Sequence, residues 1–454
     1  MNSLIISVSG LRGVIGISLT PIVAARYVTA FAKRLHELNE NKSCRPVVIV
    51  GRDGRSSGVM LQSVIVASLQ ASGCDCLIAD VAATPTIGVL VRDLKADGAI
   101  QITASHNPPP ENGMKLFSPE GRVIGPDAGA AVKAAYENGE SSWCEFDSLG
   151  VACHVTDPHQ PHFNAVLATI DADAIAKKKF RVLLDSNHGS GATLGKRLLE
   201  RLGCDVVIVG ETPDGQFEHV PEPTADNLQT VASRVKVEKC DVGFCQDPDA
   251  DRLALIDAAG RYVGEEFTLA LCVQHALSQP ATRGAIVING ASSGMSERLA
   301  TASGVVSHRS KVGEANVADM MIAVGATYGG EGNGGPIDPR VGYVRDSFVA
   351  MAQVLALMTQ TGKTVGELCD ALPQLAIHKT KATVDAEKLP AAMKRIAEHF
   401  KDATADFEDG LRLAWPGRWL LVRGSNTEPI VRLIAEAESE TLAKSMCDEA
   451  ARLL

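Results

Sequence analysis

The chain contains 454 residues, of which 45% are hydrophobic and 22% are charged. This length allows roughly three or four domains, each with its own hydrophobic core. Lys and Arg total 44 against 54 for Asp and Glu, a formal net charge of -10, which argues against nucleic acid or another polyanion as the partner. If the protein binds phosphate, we expect a local pocket of Arg, Lys and backbone amides.

The cysteines and the N-terminal residues indicate the compartment. Eleven cysteines are scattered along the chain without a C-x-x-C pair, which is typical of reduced thiols in the cytoplasm. The opening MNSLIISVSGLRG has no basic residue before its short apolar run, and no run reaches the roughly 18 apolar residues of a membrane span. We therefore expect a cytoplasmic protein with no membrane partner. The sequence does not indicate an oligomeric state.

Three similar strand-and-loop units follow one another along the chain. Each begins with an apolar strand that runs into a Gly/Ser loop, and each is followed downstream by a second strand that ends in a polar loop. The first strands are VVIVGRDGRSSG (47–58), RVLLDSNHGSGA (181–192) and AIVINGASSG (285–294), and the second are DGAIQITASHNP (97–108), CDVGFCQDPDADR (240–252) and GATYGGEGNGG (325–335). This repetition predicts three α/β domains of one plan.

The last part of the chain has a different pattern. Strands are predicted at LRLAWP, WLLVRG and IVRLIAEA, followed by an amphipathic helix at TLAKSMCDEAARLL, which together predict a smaller C-terminal α+β domain. We place the domains at 1–150, 151–256, 257–370 and 371–454. Because ligands bind at the carboxyl ends of strands in open α/β sheets, we expect three domains with mixed sheets to point their loops at one central cleft.

The first polar loop lies within QITASHNPPPENGMK (101–115) and holds a serine and a histidine in a proline-stiffened frame. Ser105 is a candidate nucleophile, but no G-x-S-x-G elbow surrounds it, so a hydrolase triad is not indicated. His106 is either a catalytic or a structural histidine. Lys115 and Arg12, the latter between glycines in SGLRG, are candidates for phosphate binding or proton transfer. Surface charges are the alternative for both.

The second polar loop, DPDADR, places Asp247, Asp249 and Asp251 at alternating positions directly after an apolar strand, with Arg252 beside them. Carboxylate oxygens are ligands that Mg²⁺ prefers. An EF-hand would need Gly after the third Asp and Glu at the twelfth position, which is Ala258 here. The loop therefore predicts a magnesium site, with a solvated acidic turn as the alternative.

The third polar loop and the C-terminal strands carry weaker signals. In GGEGNGG (329–335), glycines allow close backbone approach, and Glu331 could accept hydrogen bonds from sugar hydroxyls, with Asn333 nearby. A flexible turn is the alternative. The stretch RGSNTEPIVR offers donors that can hold a phosphate dianion, and a capping turn is its alternative. Its candidate substrate-binding residues are Arg423, Ser425, Asn426, Thr427 and Arg432.

Four of these motifs occur in order and at intervals that suit one known family: TASHNP, DPDADR, GGE and RGSNTEP. On these motifs, and on SGLRG, GRDGR, DSNHGSG and ENGMK, essentially the whole chain resembles the α-D-phosphohexomutases. That superfamily includes phosphoglucosamine mutases and phosphomannomutase/phosphoglucomutases. The resemblance implies four domains around a central cleft, the first three alike and the fourth distinct.

The resemblance also implies a reaction. Ser105 would carry a phosphoryl group, donate it to a hexose monophosphate to give a bisphosphate, and take back the other phosphate. The 1- and 6-phosphates would thereby exchange, with hexose 1,6-bisphosphate as activator. Phosphoryl transfer depends chiefly on alignment and charge neutralisation, which Mg²⁺ on Ser105 and the three aspartates would provide. The other implied roles are charge neutralisation by Arg252 and Arg12, proton transfer by Lys115, hydroxyl recognition by Glu331 and phosphate binding at 423–427.

One loop departs from the family pattern. Many relatives have Ser and His in the sugar loop, as GE-x-SGH, where this chain has Asn333 and Gly335. A similar loop occurs in some phosphoglucosamine mutases, so glucosamine 6-phosphate is the expected substrate, and glucose or mannose phosphate is the alternative. Two rival functions are an aspartyl phosphatase, whose D-x-D-x-T/V pattern fails at Asp251, and a noncatalytic sugar-phosphate sensor, which would typically have lost the serine or an aspartate.

Overall fold

The computed structural model describes residues 4–7, 10–39, 44–141, 143–385, 387–424 and 430–454. These residues form four separate sheets of seven, four, four and five strands. The first three sheets are mixed and carry helices, and the fourth is antiparallel. This confirms the predicted fold class of three similar α/β domains followed by a smaller α+β domain. Among the described helices, none is long and apolar enough to cross a membrane.

The first domain is built on the seven-stranded sheet. Its helices and strands are β1 (Ile5–Ser7), β2 (Gly10–Val14), α1 (Pro21–Leu38), β3 (Val47–Arg52), α2 (Ser57–Ala71), β4 (Asp75–Val81), α3 (Thr84–Asp93), β5 (Gly98–Ile102), β6 (Glu111–Phe117), α4 (Pro126–Glu137) and β7 (Ala152–His154). The strand order is β1-β2-β6-β5-β3-β4-β7. Since β7 pairs with β4 in parallel, the first sheet extends beyond residue 150 to His154.

The second and third domains each contain a four-stranded sheet. The second consists of α5 (Gln160–Leu167), α6 (Ala172–Ala176), β8 (Arg181–Asp185), α7 (Ala192–Arg201), β9 (Asp205–Val209), α8 (Gln229–Val237), β10 (Val242–Gln246) and β11 (Leu253–Asp257). The third consists of α9 (Glu265–Ser278), β12 (Ile286–Asn289), α10 (Met295–Ala302), β13 (Ser307–Ser310), α11 (Glu314–Val324), β14 (Tyr328–Glu331), β15 (Gly335–Ile337), α12 (Ser347–Thr361) and α13 (Val365–Asp370).

One strand order recurs in the three α/β sheets. The first sheet contains β6-β5-β3-β4, the second is β11-β10-β8-β9, and the third is β15-β14-β12-β13. In each, the first two strands form an antiparallel hairpin and the other neighbours are parallel. The three polar loops, at 103–110, 247–252 and 332–334, therefore connect the equivalent pair of strands in each domain. The repeat thus places each predicted loop in the same position of its domain.

The fourth domain is a five-stranded antiparallel sheet with two helices. Its helices and strands are β16 (Ala376–Thr383), α14 (Leu389–His399), β17 (Thr404–Asp406), β18 (Leu411–Trp415), β19 (Arg418–Gly424), β20 (Ile430–Ala437) and α15 (Glu440–Ala451). The strand order is β16-β20-β19-β18-β17. Apolar side chains of the sheet pack against α14 and α15 in one buried cluster. Strands β18 to β20 and helix α15 lie where the sequence predicts them.

A buried histidine joins the first three domains. His162 of α5 is fully buried, with Nδ1 2.9 Å from Thr86 Oγ1 in α3 and Nε2 2.7 Å from an Asp346 carboxylate oxygen. The other oxygen of Asp346 accepts from the Phe348 and Val349 backbone N–H groups and caps α12. Because α12 packs against helices of both the second and third domains, these contacts hold the polar loops in a fixed relation.

Candidate active site

Ser105 occupies a strained position at the carboxyl end of β5. Its φ is +53°, a left-handed conformation that costs a non-glycine residue about 1–3 kcal/mol, and it is only 1% exposed. Its backbone N–H donates to Thr103 Oγ1 at 2.8 Å. Its hydroxyl donates to Asp247 Oδ2 at 3.0 Å, so the first-domain serine points at the second-domain aspartate loop.

Arg55 fixes the backbone of the Ser105 loop. Its side chain is buried, and its Nε donates to Asp53 Oδ2 at 3.1 Å. Its two Nη groups donate to four backbone carbonyl oxygens, three in the loop and one at the start of β6. These acceptors are Ser105, Asn107, Pro108 and Glu111, at distances from 2.6 to 3.1 Å. One guanidinium therefore holds the loop in its strained shape.

The three aspartates of DPDADR form a buried cluster. Asp247, Asp249 and Asp251 are each 0% exposed, and each offers a ligand atom within 4.8 Å of the others. Oδ1 of Asp249 and Oδ1 of Asp251 are buried and have no hydrogen-bond partner among the described residues. Unpartnered buried carboxylate oxygens are costly, and a hard divalent cation would satisfy them. The acidic cluster can therefore bind a metal beside the Ser105 hydroxyl.

The aspartates differ in their proton affinity. Burial, together with the charges of Asp251 and Asp249, raises the pKa of Asp247 well above its usual range. Burial acts in the same direction on Asp251, but Arg345, Lys115 and other cations outweigh it and lower the pKa of that carboxyl. Asp251 is thus held as a carboxylate. A bound cation would favour the ionised form of Asp247 as well.

Lys115 of β6 crosses from the first domain to the aspartate loop. Its ammonium lies 2.7 Å from Asp249 Oδ2 and 2.8 Å from Asp251 Oδ2. Burial lowers the pKa of Lys115, but the two aspartates raise it by more, and the net change is upward. The ion pairs therefore keep Lys115 protonated, which suits a group that neutralises phosphate charge or donates a proton.

Arg252 and Arg12 bring positive charge close to the aspartate cluster and His106. Arg252 Nε lies 4.0 Å from Asp247 and 3.8 Å from Asp251, and burial lowers the pKa of Arg12 on β2. His106 Nδ1 lies 3.2 Å from Ser105 Oγ. Burial, Arg252 and Arg12 lower the pKa of His106 to about 2, so this imidazole is neutral at physiological pH. The charges that repel an imidazolium here would attract a phosphate dianion.

In the sugar loop, Glu331 is already hydrogen-bonded through both oxygens. Oε1 accepts from Asn289 Nδ2 at 2.6 Å and from the Gly313 N–H at 3.0 Å, and Oε2 accepts from Arg345 Nη1 at 2.8 Å. Asn333 Nδ2 lies 3.5 Å from Oε2, while Asn333 Oδ1 is buried without a partner among the described residues. The loop thus presents the Asn333 amide oxygen as an acceptor. A hydroxyl that binds Glu331 would share the carboxylate with the donors it already accepts from.

Arg345 links the aspartate loop of the second domain to the glycine loop at 329–335. It is 6% exposed, and its Nη2 donates to Asp251 Oδ2 at 2.7 Å while its Nη1 contacts Glu331. Its backbone N–H donates to Glu314 Oε1 at 2.8 Å. The second and third domains therefore share one buried guanidinium, which fixes the distance between their loops.

The fourth domain carries a row of cations on one face of its sheet. Arg423 of β19 lies directly opposite Arg432 of β20, which in turn lies opposite Lys381 of β16. Like charges at paired positions repel one another, and an anion placed among them would relieve that repulsion. Of the described residues, only Asp409 accepts a hydrogen bond from the Arg423 guanidinium, at 2.8 Å. Ser425, Asn426 and Thr427 lie outside the described residues.

The sequence prediction did not include three cations of the site: Arg55, Arg345 and Lys381. Arg55 stands in GRDGR, a motif whose spacing alone does not reveal its four carbonyl partners. Arg345 lies in VGYVRDS, which carries no motif, and only the folded chain brings it to Asp251. Lys381 could have been found, because IHKTKAT alternates Lys with other residues and so places Lys379 and Lys381 on one face of a strand.

Models of one protein family match the chain in four consecutive segments. Phosphoglucomutase/phosphomannomutase α/β/α domains I, II and III match residues 4–143, 160–260 and 265–376, and the C-terminal domain of the same family matches residues 380–453. The four matches follow the order of the four sheets. Together they cover nearly the whole chain.

Individual relatives agree with these matches. The chain is 35% identical over 448 residues to a phosphoglucomutase/phosphomannomutase of Thermococcus kodakarensis, covering 98% of this chain and 97% of that one. It is 31% identical to a probable phosphoglucosamine mutase of the same organism, covering 98% and 97%. A crystal structure of a phosphoglucomutase/phosphomannomutase family protein from Burkholderia thailandensis superposes with a TM-score of 0.85 at 25% identity, covering 99% and 96%. The chain therefore belongs to the phosphoglucomutase/phosphomannomutase family of the α-D-phosphohexomutase superfamily, and it is an enzyme of that class.

Proposed function

We propose that this enzyme exchanges the 1- and 6-phosphates of a hexose through a phosphorylated Ser105. The observation that carries the proposal is the Ser105 hydroxyl, which lies 3.0 Å from Asp247 at the edge of the buried aspartate cluster. Lys115 pairs with two of these aspartates, and Arg252 lies beside the cluster. This is the charge distribution that phosphoryl transfer needs.

The first half of the reaction moves the phosphoryl group to the sugar. A hydroxyl oxygen of the hexose monophosphate forms a bond to phosphorus and loses its proton, and the bond between phosphorus and Ser105 Oγ breaks. Lys115, held as an ammonium ion, is our candidate to donate the proton that the leaving Ser105 oxygen takes up, and it is restored by the proton that the sugar hydroxyl releases. The product is a hexose bisphosphate and free Ser105.

The second half is the same chemistry in reverse. The bisphosphate turns over in the cleft, and Ser105 Oγ forms a bond to the phosphorus of the other phosphoryl group and loses its hydroxyl proton. The bond between that phosphorus and its sugar oxygen breaks, and this oxygen takes up one proton in exchange for the proton that Ser105 lost. The phosphoserine is thereby restored, and no atom is gained or lost overall. We propose Mg²⁺ as the metal held by Asp247, Asp249 and Asp251, where it would supply charge neutralisation on the phosphoryl oxygens. Added hexose 1,6-bisphosphate would activate the enzyme by phosphorylating free Ser105.

The cation row of the fourth domain would bind the phosphate that is not reacting. Arg423, Arg432 and Lys381 lie on adjacent strands of one sheet face. A phosphate dianion can accept hydrogen bonds from several such donors at once. Because this site would contact only the phosphate, the same sugar could be held with either end toward Ser105.

We propose glucosamine phosphate as the sugar substrate. Asn333 Oδ1 is buried without a partner among the described residues, so it can accept a hydrogen bond from the amino group of the sugar. Glucose and mannose phosphates are the second candidates. Two Thermococcus kodakarensis relatives favour these candidates. The phosphoglucomutase/phosphomannomutase is 35% identical to this chain, and the probable phosphoglucosamine mutase is 31% identical to it.

The test is phosphorus NMR of the purified protein with Mg²⁺ and a trace of hexose 1,6-bisphosphate. Glucosamine, glucose and mannose 6-phosphates are offered in separate tubes. Exchange confined to the amino sugar supports a phosphoglucosamine mutase, and Asn333→Ala should then reduce the preference for the amino sugar. Comparable exchange with glucose or mannose phosphate would replace that substrate with the second candidates. No exchange with any of them would contradict the mutase and favour a sugar-phosphate sensor.

A further inference from the structure

Asp409 contacts the fourth and third domains at the same time. It lies in the turn between β17 and β18, where its Oδ1 accepts from Arg423 Nε at 2.8 Å. Its Oδ2 accepts from the backbone N–H of Val312, also at 2.8 Å. Both oxygens of this carboxylate are therefore engaged, one by the fourth-domain arginine and the other by a loop of the third domain.

The geometry of the first contact orients the Arg423 side chain. A guanidinium that is held through Nε keeps both Nη groups free to bind a planar or tetrahedral anion in a defined direction. Within the described part of the chain, no other acceptor contacts Arg423. Next to Asp409, Gly410 has φ of +88°, and a Cβ there would lie 2.5 Å from the Val422 carbonyl oxygen. The turn thus packs so closely against β19 that a side chain at Gly410 would displace Asp409.

The second contact reaches the sugar loop. The residue after Val312 is Gly313, whose N–H donates to Glu331 Oε1 at 3.0 Å. Glu331 in turn accepts from Arg345, which also donates to Asp251. Hydrogen bonds therefore connect Arg423 to Asp251 in a continuous series, interrupted only by the peptide bond between residues 312 and 313.

We propose that Asp409 is a positioning residue of this enzyme, which aims Arg423 at the phosphate that is not reacting and docks the fourth domain on the 312–313 segment. The inference rests on the proposed function, since it takes Arg423 to be a phosphate ligand. Asp409 itself does not contact the substrate. Its effect should therefore appear in substrate affinity and should pass through Arg423.

The primary variant is Asp409→Asn, with Glu408→Gln as the matched control. Glu408 is the adjacent carboxylate, and it pairs with Lys311 at 3.6 Å without contacting Arg423 or Val312. Asp409→Asn replaces the charged acceptor of Arg423 with a neutral one and so weakens this hydrogen bond. We expect KM for the best hexose phosphate to rise about tenfold and kcat to change by less than about threefold. Glu408→Gln should match the wild type in both constants. Equal KM values for Asp409→Asn and wild type would overturn the proposal.

A double-mutant cycle separates positioning from general damage to the fold. In an Arg423→Ala background, Asp409→Asn should change KM by less than about twofold, because the residue it acts through is gone and the Asn oxygen can still accept from the Val312 N–H. Independent, additive losses would show that Asp409 acts by another route and would overturn the proposal, even if Asp409→Asn alone were poorly folded.

An equilibrium measurement distinguishes this proposal from the proposed function. Calorimetric binding of glucosamine 6-phosphate and glucose 6-phosphate is compared in Ser105→Ala proteins with and without Asp409→Asn. A roughly tenfold higher Kd in the protein that also carries Asp409→Asn supports the positioning role, and an equal Kd contradicts it whether or not the wild type turns over. Binding without any phosphate exchange by the wild type would overturn the mutase alone. Absence of binding by the Ser105→Ala parent would overturn the Asp409 proposal as well.

Discussion

Ser105 combines a strained backbone with a hydroxyl directed at the aspartate cluster. The strain is held by backbone contacts, because its N–H donates to Thr103 and its carbonyl accepts from Arg55. Only the hydroxyl contacts Asp247. Removing that hydroxyl should therefore remove the reacting atom and leave the loop conformation in place.

Ser105→Ala should abolish phosphate exchange and leave the thermal unfolding midpoint within a few degrees of the wild type. Phosphorus NMR measures the exchange, and calorimetry measures the unfolding. Ser118→Ala, a serine of the same domain beyond the end of β6, is the control and should keep full activity. Substantial exchange by Ser105→Ala would rule out a phosphoserine at this position.

Asp249 is the aspartate whose change most directly tests the metal site. Its Oδ2 accepts from Lys115 and from Thr84 Oγ1 at 2.6 Å, whereas its Oδ1 has no partner among the described residues. An Asn side chain can still accept through one oxygen but lacks the negative charge. We therefore expect the variant to fold and to bind divalent cations more weakly.

Asp249→Asn should raise the Mg²⁺ concentration for half-maximal activity at least about tenfold, because the charge of the ligand set sets the affinity for the cation. Direct Mn²⁺ binding, followed by electron paramagnetic resonance, should weaken in parallel. Asp226→Asn, at an exposed position of the same domain, should leave both titrations unchanged. An unaltered titration for Asp249→Asn would place the cation elsewhere.

The hairpin loop carries the candidate functional residues in each of the three α/β domains. In the first domain it is long and is held from outside by Arg55, and in the second it is a short loop of buried aspartates. In the third it is a tight turn of glycines around Asn333. A loop of eight residues between β5 and β6, at 103–110, needs an external clamp to keep one conformation, since few of its backbone groups bond to each other.

Arg55→Lys should loosen this clamp, because a lysine cannot reach four carbonyl oxygens and Asp53 at once. We expect kcat to fall about 10- to 100-fold, as displacement of a reacting group by about 1 Å can cause a loss of that size. Hydrogen exchange of residues 103–111 should become faster. Arg45→Lys, at an exposed arginine of the same domain, is the control. If the hydrogen-exchange rates and kcat of Arg55→Lys equal those of the wild type, the loop holds its shape without this clamp.

For the whole molecule, the sequence predicts local features better than contacts between domains. The three repeats were predictable because an apolar β-branched strand followed by a Gly/Ser loop is a local pattern. The aspartate cluster was predictable for the same reason, as its ligands lie within five residues. Arg345 was not, because its partners Asp251 and Glu331 come from two different domains. The pairing of Lys381 with Arg432 depends on strand register, which the sequence does not specify.

Glu266 provides a test of the boundary between the third and fourth domains. It is the second residue of α9, where its Oε2 accepts from the Ser293 N–H at 2.9 Å and its Oε1 lies 3.7 Å from Lys379 of the fourth domain. Burial raises the pKa of Glu266 to about 7 despite Lys379, and the nearby Glu436 adds to the increase. The protonated form is therefore favoured when the two domains are packed together.

This pKa gives the sign of a pH dependence. The folded pKa of about 7 lies above the ordinary value of 4.5. Below about pH 4.5, Glu266 is protonated in both the folded and the unfolded chain, so its ionisation does not change the free energy of unfolding. Above about pH 7 it is ionised in both, and the free energy of unfolding is lower by the full cost of burying the charge. Glu266→Gln should therefore match the wild type near pH 5 and be more stable at pH 8, by up to about 3 kcal/mol. Calorimetric midpoints at the two pH values measure the difference, and Glu387→Gln, at an exposed fourth-domain position, should show none. A Glu266→Gln advantage that is equal at both pH values would mean that Glu266 is ionised in the folded protein throughout this range and that Lys379 fully offsets its burial.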